Sequence, residues 1–232
     1  MKTWNQLLVR HGWILVDKGG NKFDCTKETE ENIAFLQECL EKAGVNYSLN
    51  DKELLIFQEP VSEDAWLKAV DFEFRGRNGA YWCRPGIDEP EIQQFDAYIA
   101  GVVRQLNRLQ FFTTMSCDDH GRRIPFLYFD KKIDVDGAAN LLRLLGVPRV
   151  AYRERQTHYF MPIHLERTKL LDLTEALSII PLDWLEHGIQ YVEEQLLYEE
   201  QLLYHEIECL LSISGVSGEE DAVREVVKEK LT

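Results

Sequence analysis

Residues 91–129 read EIQQFDAYIAGVVRQLNRLQFFTTMSCDDHGRRIPFLYF and carry the pattern that decides the fold. Apolar residues recur at helical spacing in the first part of this stretch, so the sequence predicts a helix over 91–109. Two short runs suited to strands follow, FFTTMSC and IPFLYF, and the polar turn DDHGRR separates them. The stretch therefore predicts one helix followed by a β-hairpin.

The same succession recurs on both sides of this stretch. Downstream, the pattern predicts helices over 135–146 and 165–177 with a second hairpin between them. Upstream, residues 1–70 predict a short helix, a hairpin, a helix that ends at Gly44, another hairpin and a helix capped by Ser62. We therefore predict an α+β fold, built as duplicated αββαββα units followed by a long helix and a C-terminal helix.

Loop-forming residues divide the chain into segments. The stretch FRGRNGAYWCRPGIDEP is rich in glycine and proline and separates the two predicted repeats. The predicted segments are a first α+β repeat at 1–73, a linker loop at 74–90, a second α+β repeat at 91–180 and a helical tail at 181–232.

The predicted tail contains a tandem hexapeptide, EEQLLY at 193–198 and again at 199–204. A period of six residues does not match the 3.6-residue turn of an α-helix, so the leucines and tyrosines spread over a broad face. Such a helix is either a packed spine of the protein or a contact for self-association through residues 181–211.

Composition limits the class of protein. The 232 residues are 45% hydrophobic, with no secretory signal at the start and no apolar run long enough for a membrane span. The five cysteines are an odd number without a Cys-x-x-Cys pair, so we expect neither a disulfide framework nor a zinc knuckle. These features predict a cytoplasmic protein with no membrane partner.

Charge is unevenly distributed along this acidic chain of net charge −14. The middle segment, 101–170, holds 12 Lys/Arg against 7 Asp/Glu, whereas both flanking segments are acidic. A positive middle segment is typical of an anion-binding face, and the alternative is a basic surface that the acidic ends neutralise.

The last part of the tail, HEIECLLSISGVSGEEDAVREVVKEKL at 205–231, resembles the N-terminal segment of the co-catalytic zinc aminopeptidases. In that family a helix with paired leucines leads through a Gly-Val-Ser-Gly-Glu turn, here Gly215 to Glu219, into a second amphipathic helix. The zinc ligands and catalytic carboxylate of the family lie downstream of this segment, so none is carried over. The resemblance implies zinc and peptidase (hydrolase) activity only if a downstream domain exists.

A second resemblance lies in residues 91–177, at the run Ile99 to Val103. This run is similar to the first half of the LAGLIDADG helix of homing endonucleases, whose fold has two αββαββα repeats packed through such helices. Arg104 and Leu106 stand where the family has its metal-binding acids, and Asn107 stands where it has glycine. The resemblance implies the fold without DNA cleavage.

The loop that follows the first strand of the second repeat concentrates chemically active side chains. The strand residues that lead into this loop, Thr113 to Cys117, resemble the Thr-Thr-Ser-Ser-Cys segment of the wybutosine-synthesis tRNA methyltransferases, whose Ser-Gly-Arg continuation is absent here. A thiol, two acids, an imidazole and two guanidinium groups suit a metal or a phosphate, and the alternative is an ordinary polar turn. We expect Ser116 to Arg123 to lie at the surface, since burying unpaired charges costs several kcal/mol. The candidate ligand-binding residues, including three arginines further along, are Cys117, Asp118, Asp119, His120, Arg122, Arg123, Arg149, Arg153 and Arg155.

The sequence as a whole favours a non-catalytic recognition, regulatory or assembly region, attached to or derived from a zinc aminopeptidase-like protein. No complete catalytic set is present, so we expect no cofactor in this chain and no catalytic residue. The expected partner is a peptidase domain or a second copy of the chain. The alternative function is a nucleic-acid or phosphate-ligand binding module that uses the basic segment 101–170.

Overall fold

The computed structural model describes residues 2–71, 91–118 and 124–182. The predicted linker loop at 74–90 and residues 183–232 of the predicted tail lie outside these ranges. The tandem hexapeptide and the segment that resembles zinc aminopeptidases therefore stay sequence predictions. Residues 1–182 group into one compact unit.

The first half of this unit contains three helices and four strands. Each helix begins at a hydroxyl cap, because the side chains of Thr3, Thr29 and Ser62 accept hydrogen bonds from backbone amides of the first turn. The elements are α1 (Trp4–Arg10), β1 (Val16–Asp17), β2 (Lys22–Asp24), α2 (Glu30–Lys42), β3 (Tyr47–Asn50), β4 (Glu53–Ile56) and α3 (Glu63–Val70).

The second half repeats this order of elements. Asp134 caps its middle helix through the amide of Gly137, and Gly146 follows that helix with a positive φ of 81°. The elements are a short 3-10 helix (Ile92–Gln94), α4 (Ala100–Arg108), β5 (Thr113–Cys117), β6 (Phe126–Asp130), α5 (Val135–Leu144), β7 (Arg153–Glu154), β8 (His158–Pro162) and α6 (Lys169–Ser178).

One predicted helix is wrong in its first half. The continuous helix expected over 91–109 is a 3-10 turn, a break and then α4. Phe95 is extended, with φ of −93° and ψ of 155°, so the backbone cannot continue from the 3-10 turn into α4. Ile92, Phe95 and Ile99 are apolar and spaced as on one helical face, which is why the sequence pattern predicted an uninterrupted helix. All three are buried, but they do not lie on one helix.

Each half contributes one four-stranded antiparallel sheet. The strand order is β1-β2-β4-β3 in the first sheet and β5-β6-β8-β7 in the second, so the two sheets have the same order. The predicted α+β class is confirmed by these two sheets and the helices around them. Superposition of the two halves as true duplicates stays a prediction.

The two halves meet where α6 packs against both α1 and α4. Gly101 of α4 lies at the tightest point of this contact, since a Cβ atom there would stand 2.4 Å from Thr174 Cγ2 and 2.6 Å from the Arg10 carbonyl oxygen. Only glycine permits this approach without a shift of its neighbours. Among the described residues, no helix is both long and apolar enough to span a bilayer.

Two charged clusters hold the halves together. In one, Arg104 of α4 donates two hydrogen bonds of 2.8 Å to the Glu28 carboxylate, and both side chains are almost fully buried. In the other, the nearly buried Arg10 of α1 contacts Glu63, Asp172 and Glu175. Each arginine thus joins elements that are distant in sequence.

The Glu28 carboxylate has a full set of donors. Besides Arg104, it accepts hydrogen bonds from the Ile14 backbone amide and from Asn32 Nδ2. Burial raises the pKa of Glu28, while these donors and the Arg104 charge act to lower it. Arg104, at a position where the homing endonucleases have an acid, therefore has a structural partner in this chain.

Candidate ligand-binding surface

The structure describes five of the nine predicted site residues. Asp119, His120, Arg122 and Arg123 lie outside the described residues. Cys117 and Asp118 lie at the end of β5, whereas Arg149, Arg153 and Arg155 lie in or near the β7–β8 hairpin.

Asp118 is buried, so the expectation of an exposed side chain is wrong at this position. Its side chain has 0% exposure and accepts hydrogen bonds from Arg167 Nε at 2.9 Å and from the Arg167 terminal nitrogen at 2.8 Å. That expectation assumed that the Asp118 carboxylate has no partner. Arg167, 49 residues away in the chain, pairs with Asp118 and so lowers the free-energy cost of burying it. Ser116 and Cys117 are buried as well.

Arg167 is held on two further sides. Its guanidinium lies over the Tyr98 ring, 4.1 Å from the ring centroid, and 4.0 Å from an Asp71 oxygen. Burial lowers the pKa of Arg167, but the hydrogen bond and charge of Asp118 outweigh burial and raise it. The Asp118 backbone amide donates to Asp96 Oδ2 at 3.1 Å. This cluster fixes the end of β5 to the start of the second half, which is a structural role.

The three predicted arginines are exposed and close together in the chain. Arg153 is in the edge strand β7, directly opposite Phe160 of β8, and Arg155 begins the turn between these strands, where its amide donates to the His158 carbonyl. Arg149 has a positive φ of 53° in the loop before β7. Whereas Asp118 follows β5 at one edge of the second sheet, the structure thus places Arg153 and Arg155 at the opposite edge, formed by β7.

Next to this edge lies a cluster of aromatic rings that sequence reasoning missed. Leu127, Phe129 and Met161 are fully buried, so the alternating residues of β6 and β8 point to the other side of the sheet. We call that side the open face of the second sheet. Its central side chains, all half-buried, are Phe126, Tyr128, His158 and Phe160.

The rings of the open face are in mutual contact. Tyr128 and Phe160 are directly opposite each other, with ring centroids 5.2 Å apart. Phe126 lies 5.4 Å from Tyr128 and 5.5 Å from Phe160, and the His158 ring meets Tyr128 edge-on at 4.3 Å. Contacts at these distances and tilts are favourable and fix the rings relative to one another.

Charges around the open face are distributed unequally across its strands. Arg153 shares the face on the edge strand β7 by its register with Phe160, and Asp130 shares it on the central strand β6 by its register with His158. Glu154 lies on the opposite side of β7 and forms an ion pair with Lys131. The β7 edge, with Arg153 and Arg155, is therefore the positive edge of the face, and we call it the arginine edge.

Two further charged features of the described residues have structural partners. Arg108 donates to the carbonyl oxygens of Leu177 and Ile180 beyond the end of α6, at 3.0 and 2.8 Å. A cleft of about 550 Å³ is lined by Lys2, Gln6, Ser62 and Glu63, and the first two side chains there donate to Glu175. No group of three potential metal ligands occurs within the described residues.

The sequence carries only a weak signal for the aromatic cluster. In FLYF and HYFM every second residue is an aromatic ring or histidine on the same side, while the intervening residues are also apolar. The two strands thus read as apolar on both sides, which is typical of a buried strand and hides an open face.

Comparisons with protein-family models, with curated proteins and with solved structures find no match for this chain.

Proposed function

We propose that this chain is a non-catalytic recognition module and that its ligand binds to the open face of the second sheet. The observation that carries the proposal is the contact cluster of Phe126, Tyr128, His158 and Phe160 on the side of the sheet turned away from the core. Aromatic patches of this kind mark interaction sites, because a partner removes large apolar areas from water when it covers them.

The charged interior supports the same assignment. Glu28, Arg104, Asp118 and Arg167 are engaged with one another in pairs that join distant elements. Removing Glu28 or Arg104 would leave the other charge buried, and removing Arg167 would leave Asp118 buried without its partner, so these groups are suited to holding the fold. Among the described residues, the open face and the exposed arginines beside it are then the groups we assign to ligand binding.

The relation to zinc aminopeptidases remains part of the proposal. It rests on residues 205–231, whose sequence resembles the start of that family's catalytic domain. On this basis the recognition module is a regulatory or assembly region of a peptidase-like protein, and residues 181–211 are the proposed contact for self-association.

Site-specific photo-crosslinking tests whether the open face is a recognition surface. The full chain carries a benzoylphenylalanine in place of Tyr128 in one preparation and of Leu55 in another, and both are irradiated inside the expressing cells. Leu55 is the matched control because it lies on the corresponding side of the first sheet, opposite Lys22 and Ser48. We expect crosslinked species of higher mass at position 128 and none at position 55. Equal yields at the two positions, or no product at 128, would remove the open face as the recognition surface.

A further inference from the structure

We infer that the ligand of the open face is single-stranded nucleic acid, with its bases stacked on Tyr128 and Phe160 and its phosphates beside Arg153 and Arg155. This inference rests on the proposed function and names its ligand class. It is carried by the position of exposed arginines along the edge of an aromatic sheet face.

The ring geometry suits unpaired bases. Tyr128 and Phe160 are neighbours across two central strands, and Phe126 extends the same surface along β6. Aromatic side chains on a sheet bind single strands because every base offers a π-face for stacking, whatever the sequence. Bases within a duplex already stack on each other, so this surface discriminates against double strands.

The position of the charges suits a phosphate backbone. Arg153 is directly opposite Phe160 on the edge strand, and Arg155 follows two residues later in the exposed turn. A strand whose bases cover Phe160 would run its phosphates past this edge. Asp130, a carboxylate on the same face, lies on β6 opposite His158, and β8 separates it from Arg155 on the β7 side.

The charge of the chain makes this local pattern informative. The whole chain is strongly acidic, at −14, yet Arg149, Arg153 and Arg155 are all exposed in or near the β7–β8 hairpin. Concentrating positive charge beside aromatic rings provides the two ingredients of sequence-tolerant single-strand binding, namely stacking and phosphate contacts. A protein ligand would not require the arginine edge, which is why we favour nucleic acid.

Fluorescence anisotropy with labelled 12-nucleotide probes tests the inference on the full chain. The probes are single-stranded RNA, single-stranded DNA and the matching duplex, each titrated at several salt concentrations. We expect binding to one or both single strands and weaker binding to the duplex. The comparison of RNA with DNA identifies the preferred sugar.

The variants separate stacking from charge. Tyr128→Ala is expected to weaken single-strand binding about tenfold, and Tyr128→Phe to restore it, because the ring alone provides the stacking surface. Arg153→Gln is expected to weaken binding and to lower the salt slope by about one, which reports one lost phosphate contact. Leu55→Ala, on the first sheet, is expected to leave binding unchanged.

Two results would overturn the inference. One is the absence of single-strand binding by the wild-type chain. The other is equal affinity of wild type and Tyr128→Ala when thermal melting shows that both are folded; Arg153→Gln, at an exposed position, provides the test if the first variant does not fold. Crosslinked products at position 128 whose mass nuclease leaves unchanged would overturn nucleic acid as the ligand while leaving the recognition surface in place.

Discussion

The two sheets have the same strand order but different chemistry on their outward faces. On the first sheet this side carries Lys22, Asp24, Glu53 and Leu55, and Lys22 pairs with Glu53 at 2.9 Å. On the second sheet the corresponding side carries a cluster of aromatic rings. A polar outward face is the usual arrangement for an antiparallel sheet that covers a core on one side. The first sheet therefore shows that a sheet of this strand order does not require aromatic rings on its outward face. We take this as support for a ligand-binding role of the open face of the second sheet.

The halves also differ in how their cores are filled. In the first half Trp4, Trp13 and Trp66 form a chain of ring contacts at 5.7 and 5.9 Å. In the second half the helix core is mainly aliphatic, with α5 burying small and branched residues such as Ala138 and Leu142. The two halves have the same strand order but different core packing. The Arg104 and Arg10 clusters join the two halves into one unit. The predictions below test that union.

The largest expected effect comes from breaking the buried ion pair between the halves. Glu28→Ala is expected to lower the free energy of unfolding by about 3–5 kcal/mol, because Arg104 would stay buried without its carboxylate. Lys22→Ala, which removes an exposed pair on the first sheet, is expected to cost less than about 1 kcal/mol. Urea unfolding of both variants measures the difference. Similar losses would mean that the buried pair does not hold the halves together.

A smaller effect is expected at the close approach of α4 to α6. Gly101→Ala is expected to destabilise the chain by about 1–3 kcal/mol, since the added methyl group would overlap Thr174 and the Arg10 carbonyl. Adding Thr174→Ala should recover part of this loss, because it removes the nearest overlapping atoms. Strictly additive losses from the two substitutions would show that the helices do not meet at this point.

The smallest expected effect is a pH dependence from the Arg10 cluster. Burial acts to raise the pKa values of Asp172 and Glu175, but hydrogen bonds and charge from Arg10 and the neighbouring lysines outweigh it and lower both. An acid whose pKa is lowered by folding stabilises the protein above its unfolded pKa of about 4, and this contribution is lost as the pH falls through the lowered folded pKa. We therefore expect the free energy of unfolding to decline on acidification below about pH 5.

Arg10→Gln provides the matched comparison for that decline. Without the guanidinium, the two carboxylates keep pKa values nearer those of the unfolded chain, so the decline should be shallower by about 1 kcal/mol or less, given their partial exposure. Unfolding titrations of both proteins at pH 3 to 7 provide the measurement. Parallel profiles would show that the cluster does not couple stability to pH.

The local structure of this chain could be predicted well from its sequence. Alternation and helical spacing predicted the α+β class, and Ser62 and Gly44 were identified as the start and end signals of helices. These signals work because caps, turns and periodic faces depend on residues within about four positions of one another. The sequence pattern did not predict the break at Phe95, because the apolar residues on both sides of it are spaced as on one continuous helical face.

The tertiary structure alone decided which charged groups became structural and which stayed available. Asp118 is buried because Arg167 reaches it from 49 positions away, and Arg104 is buried because Glu28 reaches it from 76 positions away. Arg153, no different in kind, stays exposed beside Phe160 because it lies on an edge strand. The sequence determined where strands and helices form, but the free energy of burying a charge depends on partners that only the packed chain brings within hydrogen-bond distance.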